Sequence, residues 1–186
     1  MEKPIIYLDL DETLIHSIDW WNVIPPIQHE TLEQDFEVVD VILPASAYGN
    51  SEKYKTIIRP YAREFVNNLR ELGFTVKICT AATVDYSLSI LNSAEFGFIW
   101  SDILDREEVQ YLKAKNNINP DNKKIDHSIL VDNLDETQHN TKVKLEALGD
   151  NCKLIICPSF DLATLDADHE KIFNNITEQI INFDTL

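Results

Sequence analysis

Two aspartates spaced two apart close the first apolar run of the chain, PIIYLDL at residues 4–10, which continues as DETL. An apolar run of that length ending in acids suits a buried parallel strand. In an open α/β sheet, ligands bind beyond the carboxyl ends of the strands, so Asp9 and Asp11 would enter one crevice as the chain leaves the sheet. A strand end carrying solvated acids is the plain alternative, but oxygen-bearing groups recur at later strand ends. KIC is followed by Thr80, Ala81 and Ala82, whose hydroxyl and backbone N–H groups would face the same crevice at a helix start that favours anions. ILVDN brings Asp132 and Asn133 there as well. Mg²⁺ takes about six oxygens, usually one or two carboxylates with waters and substrate phosphate. Asp9, the backbone carbonyl of Asp11 and either Asn133 or Asp132 form such a set, and an oxygen-only set favours Mg²⁺ over zinc.

The elements that must position these groups alternate between strand and helix. After a polar stretch containing Trp20, Trp21, Pro25 and Pro26, two β-like segments at 36–43 and 53–59 read as a hairpin with a long loop. Pro60 opens a helix with Tyr61, Phe65, Val66, Leu69 and Leu72 on one face, and Gly73 stops it. Strands are expected at 74–79, 96–104, 128–132 and 153–157, and helices from about Thr83, over 135–148 and over 165–182. The last helix carries Leu165, Ile172, Phe173, Ile176 and Ile180 as its core stripe. Such alternation implies an α/β, three-layer Rossmann-like sandwich with a central parallel sheet and a small β-hairpin insert. Residues 1–186 read as a single domain, with the β insert at about 30–59.

Sixteen Lys and Arg face thirty-two Asp and Glu, a formal net charge of -16. That balance disfavours nucleic acid and anionic membranes, because affinity for polyphosphate comes largely from basic side chains displacing counterions. One phosphate at a local basic site remains compatible with it. The three cysteines, Cys79, Cys152 and Cys157, show no close ligand spacing and fit a reduced compartment, with Cys79 in the core. No apolar stretch nears the roughly 20 residues a membrane span needs. A cytoplasmic monomer without signal peptide is expected, and a signal-less secretion route is compatible with the same residues. His16, His29, His127, His139 and His169 show no ligand spacing and read as structural or exposed.

DLDETLIHS resembles the signature of the haloacid dehalogenase superfamily and, within it, the phosphatases of the RNA polymerase II C-terminal domain and their small relatives. The resemblance extends along nearly the whole chain. An Arg-Pro helix start matches IIRPYAREFVNNLRELG, a strand ending in Thr matches KICTAAT, and an LFRE-like segment resembles LDREE at 104–108. A Tyr-x-Lys element resembles YLK at 111–113, and ILVDN follows in order. Leu134-Asp135 stand where these phosphatases commonly have Ser-Pro.

The resemblance implies a phosphoric monoester hydrolase in which Asp9 attacks phosphorus and Asp11 acts first as acid, then as base toward water. It implies that Thr80, with Ala81, binds the phosphoryl group and that Asn133, with Asp132, completes a site for Mg²⁺. Lys113 matches the lysine that neutralises phosphate charge, with Lys115 and Lys124 close by; Arg106 and Arg59 are further groups for the phosphate, with an anchor of the strand-to-helix corner as the alternative role of Arg59. Phosphoryl transfer asks mainly for such positioning and charge neutralisation. A short insert in place of a large cap leaves the crevice open to a protein chain, so the expected partner is a phosphorylated protein or peptide carrying phosphoserine, phosphothreonine or phosphotyrosine. A small-molecule or nucleotide phosphatase and a non-catalytic phospho-binding scaffold are the alternatives. Trp20 and Trp21 are candidate peptide contacts or core residues, and the net charge implies that acidic peptide flanks weaken binding.

Overall fold

A computed structural model describes residues 3–19, 32–43, 52–118 and 127–184. Eight strands run along it in chain order: β1 (Ile5–Leu8), β2 (Ile15–Asp19), β3 (Val38–Leu43), β4 (Glu52–Ile58), β5 (Thr75–Cys79), β6 (Ile103–Leu104), β7 (Ser128–Asp132) and β8 (Cys152–Ile156). The helices are α1 (Ala62–Glu71), α2 (Val84–Ser93), α3 (Arg106–Ile118), α4 (His139–Leu148) and α5 (His169–Asp184). Five strands form a parallel sheet in the order β6-β5-β1-β7-β8, and β2-β4-β3 form a separate antiparallel sheet.

Period-two alternation in the central strands divides the core between the two faces of the sheet. From β1 and β7, Ile6, Leu8, Ile129 and Val131 turn to a face covered by α1, α2 and α5. Tyr7 and Leu130 turn to the opposite face, against Val109 of α3 and Val143, Ala147 and Leu148 of α4. The result is the three-layer α/β sandwich expected from the sequence. β1 lies at its centre, with β5 on one side and β7 on the other. The crossovers leave β1 in opposite directions there, which opens a crevice above its carboxyl end.

Three local differences from the sequence reading have physical causes. Residues 15–19 are β2 and not irregular chain: they pair with β4 from Ile15↔Ile58 to Asp19↔Tyr54, and Ile15 and Ile18 are buried while His16 and Ser17 are half-buried. The run 96–104 forms just two strand residues, Ile103 and Leu104, preceded by a 3₁₀ turn at Trp100–Asp102. The helix α3 after it went unread. Asp105 caps that helix, its carboxylate accepting the Glu108 N–H at 3.0 Å and the Val84 N–H at 3.2 Å. In α1, Phe65, Val66 and Leu69 face inward as expected, whereas Tyr61 and Leu72 are exposed. Tyr61 precedes the helix with φ 65°, and Gly73 takes φ +84° just past its end. Helix α5 starts at His169, so Leu165 packs instead beside Ile18, Ile57 and Phe160. Trp20 and Trp21 lie outside the described residues.

Phe65 of α1 and Phe173 of α5 stack with centroids 4.6 Å apart, joining the helices of the larger core. Phe173→Ala should therefore cost about 3–5 kcal/mol of stability, the usual scale for emptying a buried aromatic site. Urea unfolding checks it; a loss under about 1 kcal/mol would mean that this contact does not hold the layer.

Candidate active site

The crevice above β1 is an open cleft of about 560 Å³. Its floor comes from three strand ends. Asp9 follows β1 and donates its backbone N–H to the Val131 carbonyl at 2.9 Å, which extends the pairing with β7 by one residue. Thr80 follows β5 in the same way, its N–H bonded to the Leu104 carbonyl at 3.0 Å. Asp132 ends β7, and Asn133 next to it lines the cleft. The turn after Asp9 is tight: Leu14 N–H reaches the Leu10 carbonyl at 2.9 Å, and Glu12 stands at φ 60°. Asp11, inside that turn, lines the cleft together with Thr80–Thr83.

The structure brings Asp9, Asp11, Thr80, Ala81, Arg106 and Asn133 together. It does not bring Lys113. Two turns along α3 from Arg106, Lys113 pairs with Glu146 at 2.9 Å, and both side chains are partly exposed. Lys115 is an exposed residue on the same helix, and Lys124 lies outside the described residues. The cleft is instead entered from α4 by Lys144, whose ammonium donates to Asp9 Oδ1 at 2.6 Å and to Asp132 Oδ2 at 2.7 Å. Its side chain is only 4 % exposed. Here the expectation for Lys113 is corrected. The sequence did hold a signal: Lys144 shares a helical face with Thr141, Ala147 and Leu148, all buried, so this lysine sits in an apolar stripe.

Asp132 is also placed differently from a metal ligand. Fully buried, it accepts from Lys144 at Oδ2 and from the Leu134 N–H at Oδ1, the latter at 2.9 Å, so both oxygens are engaged. Of the Asp-Asn pair, Asn133 is the one that faces the cleft. Arg59 is not at the phosphate either. It is 1 % exposed and lies beneath the Asp9–Ile15 turn, donating to the Thr13 carbonyl at 2.9 Å, Cys157 Sγ at 3.1 Å and His169 Nδ1 at 3.2 Å. The role read for it as a corner anchor is the one its contacts describe. Arg106 stands over the loop it follows, its N–H on the Ala82 carbonyl and its Nε on the Ala81 carbonyl, at 2.9 and 2.6 Å.

Burial sets the electrostatics. It pushes the Asp9 carboxyl up to about 6, against the pull of Lys144, with Asp132 and Asp11 pushing the same way. Burial also raises Asp11, partly offset by the Tyr86 hydroxyl that donates to its Oδ1 at 2.6 Å. Lys144 loses water too, but the two carboxylates outweigh that loss and hold it protonated well above the ordinary lysine range. Such an arrangement offers a desolvated carboxylate beside a fixed cation, and a second carboxyl two residues on whose raised pKa suits proton transfer. Among the described residues no three His, Cys, Asp or Glu side chains converge on a metal position. The oxygen set of Asp9, the Asp11 carbonyl and Asn133 fits Mg²⁺, which keeps waters and needs few protein ligands. A divalent ion there would also offset the charge that burial disfavours on Asp9.

The fold and this strand-end cluster define an α/β protein of the haloacid dehalogenase type. Residues 4–151 match the model of the NLI interacting factor-like phosphatases, and the chain belongs to that family. Among solved structures it resembles fission yeast Fcp1-R271A, an RNA polymerase II CTD phosphatase bound to beryllium fluoride, at TM-score 0.57 and 14% identity over 98% of this chain and 51% of that one. A second Fcp1 structure gives TM-score 0.58 and 17% identity over 95% and 48%. The chain thus spans about half the length of the Fcp1 structures it matches. Comparison with curated proteins gives no match.

If Lys144 is the lysine of the site, Lys144→Met should lower turnover of an aryl phosphate by about 10²-fold or more and lower the melting temperature. Lys113→Met should keep turnover within about threefold, because a partly exposed pair contributes under about 1 kcal/mol. Equal losses in the two variants would reinstate Lys113.

Proposed function

We propose that this protein is a Mg²⁺-dependent phosphoprotein phosphatase working through a phosphorylated Asp9. The observation that carries the reading is the Asp9–Lys144–Asp132 cluster, with Asp11 raised beside it at the mouth of the cleft. Lys144 holds Oδ1 of Asp9, which leaves Oδ2 with one long bond of 3.4 Å from the Thr13 hydroxyl. That carboxylate is oriented and stripped of water, the condition for a nucleophile that splits one hard hydrolysis into two steps.

In the first step Asp9 forms the bond to phosphorus, and Asp11 gives its proton to the departing oxygen. In the second, the same carboxylate takes a proton from water as that water attacks phosphorus and frees Asp9. Thr80 and the N–H groups of Ala81 and Ala82 border the space for the phosphoryl oxygens, although the Ala82 N–H already bonds Thr80 Oγ1 at 3.1 Å. Mg²⁺, held by Asp9, the Asp11 carbonyl and Asn133, would neutralise charge on those oxygens.

An apolar wall beside the acidic end of the cleft supports a phosphopeptide as substrate. One wall is apolar and aromatic, from Leu43 of β3, Tyr54 of β4 and Tyr86 of α2, with the two tyrosine rings edge to face at 5.6 Å. Such a wall can bury the apolar side chain of a residue that flanks the phosphorylated one. The peptide-contact role considered for Trp20 and Trp21 stays with this reading as a proposal.

Asp9→Asn should abolish turnover, by at least about 10²-fold, with circular dichroism unchanged, since an amide cannot form the acyl phosphate. Excess chelator should silence the enzyme and Mg²⁺ should restore it. Retention of more than about a tenth of activity in Asp9→Asn, or full activity in chelator, would defeat the mechanism. Phosphopeptides and a nucleoside monophosphate, assayed side by side, decide the substrate class.

A further inference from the structure

The cleft has a second lobe. On the far side of Thr80 from the aromatic wall, a cavity of about 260 Å³ opens between the first turns of α3 and α4. Arg106 and Gln110 line it from α3, His139 and Asn140 from α4, and Val109 and Val143 lie beneath. It shares Thr80, Ala81, Arg106, Asn140 and Lys144 with the main cleft, so Arg106 and Asn140 stand between the two lobes.

The chemistry of the two lobes differs. Asp9, Asp11 and Glu12 line the main cleft, whereas no Asp or Glu is among the described residues lining the second. In a chain of formal net charge -16, a polar cavity free of carboxylates and edged by a guanidinium runs against the general field. Of the acids beside these residues in sequence, Glu146 pairs with Lys113 and Asp105 accepts the amides of Val84 and Glu108, while Glu107 and Glu108 are exposed and do not line the lobe. The bonds of Arg106 N–H and Nε to the 80–82 loop fix where its guanidinium stands. No ion pair of Arg106 occurs among the described residues, so its terminal N–H groups are available to a ligand. Arg fixed in this way suits oxyanions, which it can engage with two parallel hydrogen bonds. Gln110, His139 and Asn140 add further hydrogen-bonding side chains to its lining.

We propose that this lobe is a second anion subsite, which takes the carboxylate or phosphate of a residue beside the phosphorylated one. The proposal rests on the phosphopeptide reading above. It reverses, at one position, the expectation that acidic flanks only weaken binding: the global charge acts at long range and is screened by salt, while the subsite acts in contact.

The experiment compares three phosphopeptides of one backbone, with flanking positions occupied by alanine, by aspartate, or by a non-hydrolysable phosphonate. One anionic arm should exceed the neutral peptide by about tenfold in kcat/KM, the scale of one charge-assisted contact. Which arm leads identifies carboxylate or phosphate as the ligand. The effect should lie in KM. Gln110 and His139 are exposed, so Gln110→Ala with His139→Ala should fold normally and bring the ratio near one. Gln110→Glu, which places a carboxylate in the lobe, should push the ratio below one. A wild-type ratio near one in both arms, or a ratio the variants leave unchanged, overturns the subsite while the phosphopeptide reading stands. No turnover of any peptide, with an aryl phosphate still hydrolysed, overturns both.

Discussion

A single ammonium between two buried carboxylates is the constraint on which the site depends. Asp9 and Asp132 end adjacent parallel strands, and both are stripped of water. Without a cation between them their charges would oppose each other at short range in a poor dielectric. Lys144 resolves that conflict from the other layer, so β1, β7 and α4 share one electrostatic joint. The joint does not need to add net stability. A buried ion pair often does no better than apolar packing, whereas removing one member leaves an uncompensated charge. What it supplies is position: the oxygen of Asp9 that Lys144 does not hold is directed toward the cleft by contacts that cannot relax independently.

A second buried cation works beneath the same turn by different means. Among the described residues Arg59 contacts no carboxylate; it bonds a carbonyl, a thiol and an imidazole, and lies 5.5 and 5.0 Å from the Phe160 and Phe173 ring centres. Burial lowers its pKa, although Arg stays charged at any ordinary pH. Its backbone N–H also bonds the Leu14 carbonyl at 3.0 Å, and Phe160 N–H bonds the Glu12 carbonyl at 2.7 Å. The turn that separates Asp9 from Asp11 is therefore held from below by α5, by the end of β4 and by the chain after β8. Lys144 and Arg59 are the two buried Lys or Arg side chains among the described residues, and both reach this part of the chain.

The parts of the site carried by strand ends were legible in the sequence, because an apolar run that stops at an acid or hydroxyl fixes both the strand and the place of the group. Asp9, Thr80, Asp132 and Asn133 are all of that kind, and the alternation around them set the fold class. Lys144 is of another kind. It projects from the middle of a helix, and its partners lie 135 and 12 residues away, so no local pattern names them. Lys113 had a motif in its favour but nothing to fix which way its helix face would turn, and Glu146 captures it outside the cleft. Strand β2 was missed for a related reason. Ser17 faces Thr56 at 2.9 Å in a small two-sided sheet, and such a segment lacks the clean apolar alternation of a strand on a large core.

The two sides of the cleft are built from different parts of the chain, and that division bears on how a substrate would lie. The aromatic wall comes from the antiparallel sheet and α2, while the polar lobe comes from the helices of the opposite layer. The central strands anchor Asp9, Asp11 and Thr80 between them. Tyr86 links the aromatic side to the chemistry directly, because its hydroxyl bonds Asp11 while its ring packs on Tyr54. A residue lying against that wall would therefore sit one side chain away from the proposed acid–base carboxyl. In the proposed reading, a chain laid across the cleft therefore has a direction: its apolar part meets the wall that holds Asp11, and its anionic part meets the wall that carries Arg106. Substrate orientation then follows from the sandwich itself, since exchanging the two sides would set an anion against Asp11 and Glu12 and an apolar side chain against a guanidinium.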